Sequence, residues 1–450
     1  MSKKRHSYFF RNINKVNLRF NFSKSLLFAT IILATITNGL FFTKSTNAQT
    51  YNVNSPYSRL GIGEMNSPAF AFNRAMGGIT AGFRSPTNLN YSNPASYSAL
   101  RLTTLETAVT ANGLWLNDGN STERFGSGSL SYLAFGFPIA NFWGLSGGLI
   151  PYSSVSYDVQ QSQSSTDIGD VAYRFTGEGQ LYQFYIGNGF RYKRLSAGFN
   201  VAYLFGTLTR TTIADFPEVI NAVPSRRRES LVAKDFIWNA GLQYAQKLKG
   251  KTFLTLGLSG NTNIDTNFER DILWERVAIS STQLVSPIDT VSASPAESGN
   301  VTLPAQFRLG AYLNKGAEWS VGLDVSLEQW SKFQAFEEEN INLVDATKVA
   351  LGVAFRPSKR ERGSFWQSAN YKFGGYYNTN RFEIDGESLP EFGLSTGMGI
   401  PLRKLNSKIN IALEAGSRGK VSGRLFRETF FNATVGFTLN DRWFVKRKFD

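Results

Sequence analysis

The 450-residue chain contains no cysteine, which excludes a disulfide framework, an iron–sulfur site and a thiolate nucleophile. Its one histidine is His6, so everything after the first few residues lacks an imidazole for a general base, a Ser–His triad or a metal ligand. There is no Walker loop and no G-x-S-x-G elbow. Gly61-Ile62-Gly63, Gly177-Glu178-Gly179 and Gly397-Met398-Gly399 each lack a third glycine at phosphate-binding spacing. Glu337, Glu338 and Glu339 form an acidic loop cluster of the solvated kind. After residue 48 no apolar run is long enough for a membrane helix. An enzyme is not expected, and neither is a cofactor or a metal site.

What the first residues contain is a leader. Lys3, Lys4, Arg5, Arg11, Lys15, Arg19 and Lys24 precede an apolar stretch from about Leu26 to Phe42, and the small residues Thr46 and Ala48 stand just before Gln49. That order is a signal peptide over 1–48, cleaved after Ala48. Thr35, Thr37, Asn38 and Gly39 interrupt a run already short for a span, which argues against an anchoring helix. With no cysteine behind the cleavage site, lipid anchoring is excluded. Eight of the 48 basic residues and none of the 34 acidic ones lie in the leader, so the remainder carries 40 against 34, a balance of +6. The high pI is partly the leader's, and a nucleic-acid partner is not expected.

The remainder alternates. In Leu195–Leu208 the odd positions Leu195, Ala197, Phe199, Val201, Tyr203 and Phe205 are apolar, while Ser196, Gly198, Asn200, Ala202 and Gly206 are small or polar. In Trp319–Leu327, Trp319, Val321, Leu323, Val325 and Leu327 alternate with Ser320, Gly322, Asp324 and Ser326. Residues two apart share a strand face. A soluble sandwich would load its outer face with Lys, Glu and Thr; here the second face is mostly Gly, Ser and Asn, which fits lipid outside and a filled or wet lumen inside. Strands are expected near 101–116, 126–139, 143–159, 172–191, 195–210, 230–247, 252–270, 301–313, 318–332, 345–356, 364–378, 389–402, 407–416 and 425–440. The number is even, and tight turns (Asn141, Tyr192-Lys193, Lys249-Gly250, Lys315-Gly316, Lys404-Leu405) alternate with long polar connections, among them 211–229 and a 30-residue loop at 271–300. Only the charged turn Pro357–Gly363 breaks that alternation. The expected fold is all-β: a transmembrane antiparallel barrel of about fourteen strands over 101–450, in the outer membrane of a Gram-negative-type bacterium. Tyr182, Phe184, Phe190, Tyr192, Trp319, Trp330, Trp366, Tyr376 and Tyr377 are candidates for interfacial girdles.

Residues 49–100 do not alternate, and Pro56, Pro68, Pro86 and Pro94 forbid long strands or helices there. Tyr57, Leu60, Phe70, Phe72, Met76, Phe83, Tyr91 and Tyr97 argue against a solvated tail. Because a barrel this wide exceeds what its own side chains fill, the segment is expected to plug the lumen.

Arg74-Ala75-Met76-Gly77-Gly78, followed by Asn93-Pro94-Ala95 ahead of the first strand, resembles the N-terminal hatch of the FadL-type transporters, which carry long-chain fatty acids, toluene and xylene. A second block is Leu303-Pro304, Gly310, Tyr312, Trp319, Asp324 and Trp330-Ser331-Lys332-Phe333. It resembles that family's late-strand pattern. Together the blocks cover roughly 85 residues. The resemblance implies a lumen-blocking hatch, an apolar ligand pocket, passive uptake of hydrophobic small molecules and lateral exit through the wall. It also favours a monomer.

The resemblance makes Asn93, Pro94 and Ala95 the hatch motif, and Gly77 and Gly78 hinges or simply positions needing positive φ. Arg308 and Lys348, on the polar faces of adjoining strands, are candidate ligand-binding cations for a fatty-acid carboxylate. A three-residue turn at Lys315–Ala317 would instead set Arg308 opposite Asp324 as a lumen ion pair. Arg226-Arg227-Arg228 falls in an expected external loop, where lipopolysaccharide or solvent would meet it, and Phe216 with Val219–Val223 is a candidate external gathering site. The rival function is an interaction protein, a partner or shuttle in a secretion or outer-membrane assembly complex. A general aqueous porin ranks third, because a hatch would block it.

Overall fold

The computed structural model describes residues 55–442, apart from 166–168, 281–283, 337–342, 358–364, 385, 403–405 and 424. The expected leader, the Glu337–Glu339 cluster and most of the charged turn after Pro357 lie outside the described residues.

All fourteen expected segments form wall strands. They are β1 Thr103–Asn117, β2 Thr122–Ala140, β3 Trp143–Ser165, β4 Gly169–Tyr192, β5 Leu195–Asp215 and β6 Ser225–Lys247. Two strands are interrupted: β7 runs as Thr252–Asn261 then Ile264–Ile279, and β8 as Val285–Leu303 then Gln306–Lys315. The circuit continues with β9 Trp319–Glu328, β10 Ala346–Phe355, β11 Asn370–Asn378, β12 Glu391–Pro401, β13 Lys408–Arg418 and β14 Arg427–Asp441. Each pairs antiparallel with its neighbours in chain order, and β1 pairs with β14 from Thr103↔Asp441 to Asn117↔Arg427, closing the barrel. Closure pairs each strand on both sides over most of the ring, as hydrocarbon demands.

The period-two pattern resolves as expected. Phe199, Val201, Leu323 and Leu327 are exposed outward, while Ser196, Asn200, Ser320 and Asp324 are buried inward. The interruptions of β7 and β8 lie side by side. Pro304 has no N–H for the ladder, and side chains supply the missing bonds: Asn261 donates to the Pro304 carbonyl at 3.2 Å, and the Ala305 N–H donates to Asn263 Oδ1 at 2.7 Å.

Two connections differ from expectation. The described residues of 271–300 are not a loop but two paired strands, joined from Ile279↔Val285 down to Ile264↔Leu303 with three register shifts in β8. The length and polar composition of this stretch point to a loop, yet Pro287 is accommodated because the strand is bulged there. Arg226, Arg227 and Arg228 likewise belong to β6 rather than a loop, with Arg226 in a buried ion pair to Glu275 at 2.6 Å. With β3 to β6 each 21 to 24 residues long, about twice what a tilted membrane strand needs, these strands rise beyond the bilayer as a tall external sheet.

Candidate functional site

Residues 55–100 contribute only short elements, among them the turns Pro56–Arg59 and Pro94–Ala99 and the helix Ala71–Arg74. Most of these residues are buried, and their partners are inward-facing residues of the wall. The Asn93 side chain donates to the Ala81 carbonyl at 2.7 Å and, more weakly, to those of Leu242 and Leu258. Its Oδ1 accepts the Ala95 N–H at 3.2 Å, capping the turn that Pro94 opens. Gly77 holds φ +72°, and its N–H donates to Ser395 Oγ at 2.8 Å. Gly78 also has positive φ.

Here the wall's glycine content finds its reason. A Cβ on Gly241 would lie 2.1 Å from Asn93 Oδ1, on Gly257 1.9 Å from the Ala81 carbonyl, and on Gly374 2.2 Å from the Gly77 nitrogen. Side chains at these positions would occupy the space of the N-terminal backbone, so the small-residue face is a seat for this segment, not the lining of a water channel.

The second sequence block grips the same segment. Gly310 stands opposite Asp324, where a Cβ would collide with the carboxylate, and Asp324 accepts the backbone N–H groups of Thr80 and Ala81. Tyr312 packs edge-on against Phe83 at 5.5 Å. The expected Arg308–Asp324 opposition does not occur. The turn is Gly316–Glu318, one residue later than expected, which slides the register by two and sets Arg308 opposite Ser326. Trp330 and Tyr376 are not girdle aromatics: Trp330 is buried, and Tyr376 faces the interior with its hydroxyl on Glu391 and Glu414 at 2.9 and 2.8 Å. Phe184, Phe190, Tyr192, Trp366 and Tyr377 are exposed as a girdle requires.

Beside the segment lies a cavity of about 440 Å³. An apolar pocket was expected; instead Arg308, Lys348, Arg381 and Arg418 line it together with Glu64, Asp324, Glu328, Glu391, Glu414 and Glu428. The physical reason is that these charges tie the segment down. Arg418 reaches Glu64 at 2.6 Å and also pairs with Glu428, whose carboxylate takes the Ser55 hydroxyl at 2.6 Å. Arg381 donates to the Gly63 carbonyl at 2.8 Å and lies over the Trp330 and Phe382 rings at 4.6 Å. No sequence signal marked this hub, in which Ser55, Gly63 and Glu64 meet Arg381, Arg418 and Glu428 from more than 300 residues away.

Both candidate cations do line the cavity, and the ladders relate them. Arg308 faces Ser326 across β8–β9, and Ser326 faces Lys348 across β9–β10. Two cations thus flank a small hydroxyl residue on one inward row. Lys348 Nζ rests 3.6 Å from the Tyr376 ring centroid, and Arg308 bonds weakly to Gln306 at 3.4 Å.

One stretch of wall is incomplete. β2 and β3 pair only from Ala140↔Trp143 to Leu133↔Leu149. Beyond that, among the described residues, Thr122–Tyr132 pairs with β1 alone, and β3 from Ile150 onward pairs with β4. The parting begins at Ile150, next to Pro151, beyond which β3 is bulged against β4 and Tyr152 is left out of the β4 register. Glu64 and Met65 take the place of β2 there, paired with Ser154 and Ser153, and the Asn66 N–H donates to the Tyr152 carbonyl at 2.9 Å. The cavity reaches this seam: Met65, Asn66, Ser129, Ile150, Pro151, Tyr152 and Ser154 are among its lining.

In fold, the closed fourteen-stranded antiparallel barrel matches the FadL-type barrels. The solved structures most like it include the Pseudomonas putida toluene transporter TodX (TM-score 0.56, 17% identity, covering 84% of this chain and 98% of that one). The Ralstonia pickettii toluene transporter TbuX follows (0.54, 15%, 84% and 100%), as does a Pseudomonas aeruginosa FadL homologue (0.56, 11%, 84% and 99%). At such identities the likeness is one of fold. No curated protein matches the sequence. The family model BamG matches residues 29–450, and the chain belongs to that family.

Proposed function

We propose that the protein is an outer-membrane channel for passive uptake of amphiphiles with an anionic head and a long apolar tail, long-chain fatty acids being the nearest class. The carrying observation is the cavity's continuity with the β2–β3 seam. Residues 55–100 act as the hatch, with Asn93, Pro94 and Ala95 at its base and Gly77 and Gly78 at its bend. Arg308 and Lys348 take the head group over Ser326, and the tail leaves through the seam into lipid without meeting water. The charged lining favours such a molecule over an uncharged aromatic hydrocarbon, because an apolar ligand would have to desolvate those groups with nothing in exchange.

The test is uptake of a labelled long-chain fatty acid, and separately of toluene, by cells with and without the protein, beside a Pro94→Ala strain. Fatty-acid uptake that needs the protein and responds to Pro94 supports the reading. Unchanged uptake of both compounds without the protein rejects it.

A second reading, a partner in an outer-membrane assembly or secretion complex, is favoured by the tall external sheet. Its rim exposes Ile220, Leu284, Ile288 and Val291, apolar side chains where lipopolysaccharide and solvent would meet them. Co-purification of a stoichiometric membrane partner from cells whose fatty-acid uptake is independent of the protein would favour it.

A further inference from the structure

At the short-turn end of the barrel, beneath the N-terminal segment, lies a second cavity of about 340 Å³. In an outer-membrane barrel the short turns face the periplasm, so this is its periplasmic vestibule. Five cations line it, Arg84, Arg191, Lys193, Arg194 and Lys247, and no carboxylate does. The remaining lining is neutral and includes Ser85, Thr255 and Asn314.

The clustering follows from the fold. Lys193 and Arg194 form the tight turn between β4 and β5, which pair as Tyr192↔Leu195. Arg191 precedes that turn, and Lys247 ends β6 opposite Phe253. Arg84 comes from the N-terminal segment and projects its guanidinium to Ser196 Oγ at 2.8 Å and Ser98 Oγ at 3.1 Å. Among the described residues no ion pair joins any of the five to an acid. Burial, and then the like charges of Arg191 and Arg101, push Arg84 down to about 10. Like charges gathered without a counter-charge cost energy that an anion would relieve.

The rim lies at lipid level. Tyr192 and Leu195, which flank the Lys193–Arg194 turn, are 74% and 51% exposed on the outer surface. An aromatic and an aliphatic side chain there mark the boundary between hydrocarbon and head groups. A molecule held by the vestibule is therefore within reach of the inner leaflet.

We propose that this vestibule binds a phosphate-bearing anion, supplied by the head group of an anionic phospholipid of the inner leaflet, with Arg194 and Lys247 as wall ligands and Arg84 behind them. The site is separate from the cavity beside the seam and does not depend on the uptake reading.

The full-length protein in a zwitterionic detergent, titrated by calorimetry, tests it. The probes are dihexanoyl phosphatidylglycerol, its phosphatidylcholine counterpart, glycerol 3-phosphate, inorganic phosphate and a hexaglutamate peptide. Phosphatidylglycerol should bind and phosphatidylcholine should not. Arg194→Gln and Lys247→Gln, both at exposed positions, should each weaken binding about tenfold with unchanged thermal unfolding. Glycerol 3-phosphate should compete. If inorganic phosphate alone binds as tightly as the lipid, the phosphate site stands and the lipid source is overturned. Equal affinity for both lipids, affinity indifferent to both substitutions, or tighter binding of hexaglutamate overturns the phosphate site itself.

Discussion

Asp324, on the inward face of β9, accepts the backbone N–H of Ala81 at 2.8 Å, together with that of Thr80, joining residues 243 and 244 positions apart. A carboxylate receiving two amide protons in a dehydrated interior is a strong, directional clamp. It fixes the bend of the N-terminal segment against the late strands, and no other partner offers those amides the same charge.

Asp324→Asn keeps the shape, and its amide oxygen in the place of Oδ2 can still accept both N–H groups, but it removes the charge that strengthens them. The cost should be about 1–3 kcal/mol, concentrated in residues 79–83. Hydrogen exchange should rise there while the wall strands remain protected. Exchange that stays unchanged at Thr80 and Ala81 would show that the clamp does not hold the segment.

The wall glycines make a sharper contrast. Gly257→Ala drives a methyl group into the Ala81 carbonyl, whereas nothing lies within 4 Å of a Cβ built on Gly128. The first change should destabilise by about 1–3 kcal/mol through overpacking, and the second should be near neutral. Heat-modifiability on gels reads both, and equal midpoints for the two variants would refute the seat described above.

Met65 and Ser153 are direct partners at the seam, and the chain has no thiols of its own. The double substitution Met65→Cys, Ser153→Cys should form a disulfide under oxidation, since cross-strand partners lie within bridging distance. If the segment must leave β3 for the seam to pass a ligand, fatty-acid uptake should fall at least about tenfold and recover on reduction. Undiminished uptake by the bridged protein would place the exit elsewhere.

Arg308→Gln and Lys348→Gln should each raise the apparent KM for a fatty acid by about ten- to a hundredfold, the worth of one charge-assisted hydrogen bond. Toluene uptake should not change. An equal loss for both compounds would show that these side chains serve the wall and not the head group.

Arg418 holds the partly exposed Glu64 and the buried Glu428 together. Arg418→Met leaves the buried Glu428 and the partly exposed Glu64 without their counter-charge and should cost about 3 kcal/mol. The signature is loss of protection at Ser55–Asn66 before the barrel melts. Coincident loss throughout would make the hub part of the wall and not a strap on the segment.

The amino-acid sequence by itself determined the barrel. Alternation is a local property, since residues two apart share a face whatever the rest of the chain does, so fourteen strands and their outward faces could be read without coordinates. The seven residues singled out as candidates sit on those inward faces or in the segment packed against them. Tertiary structure alone decided what the inward face is for. Whether Gly241 borders water or the Asn93 side chain depends on a contact across about 150 residues. The pairing of Arg308 with Ser326 in place of Asp324 depends on where one turn closes. The strands in 271–300 were hidden because a long polar stretch reads as a loop until the strand that pairs with it is known. The charged hub, the parted β2–β3 seam and the basic vestibule share one cause. Each is built from segments brought together only when the ring closes, and no periodicity along the chain encodes which turn ends or strand edges will then be neighbours.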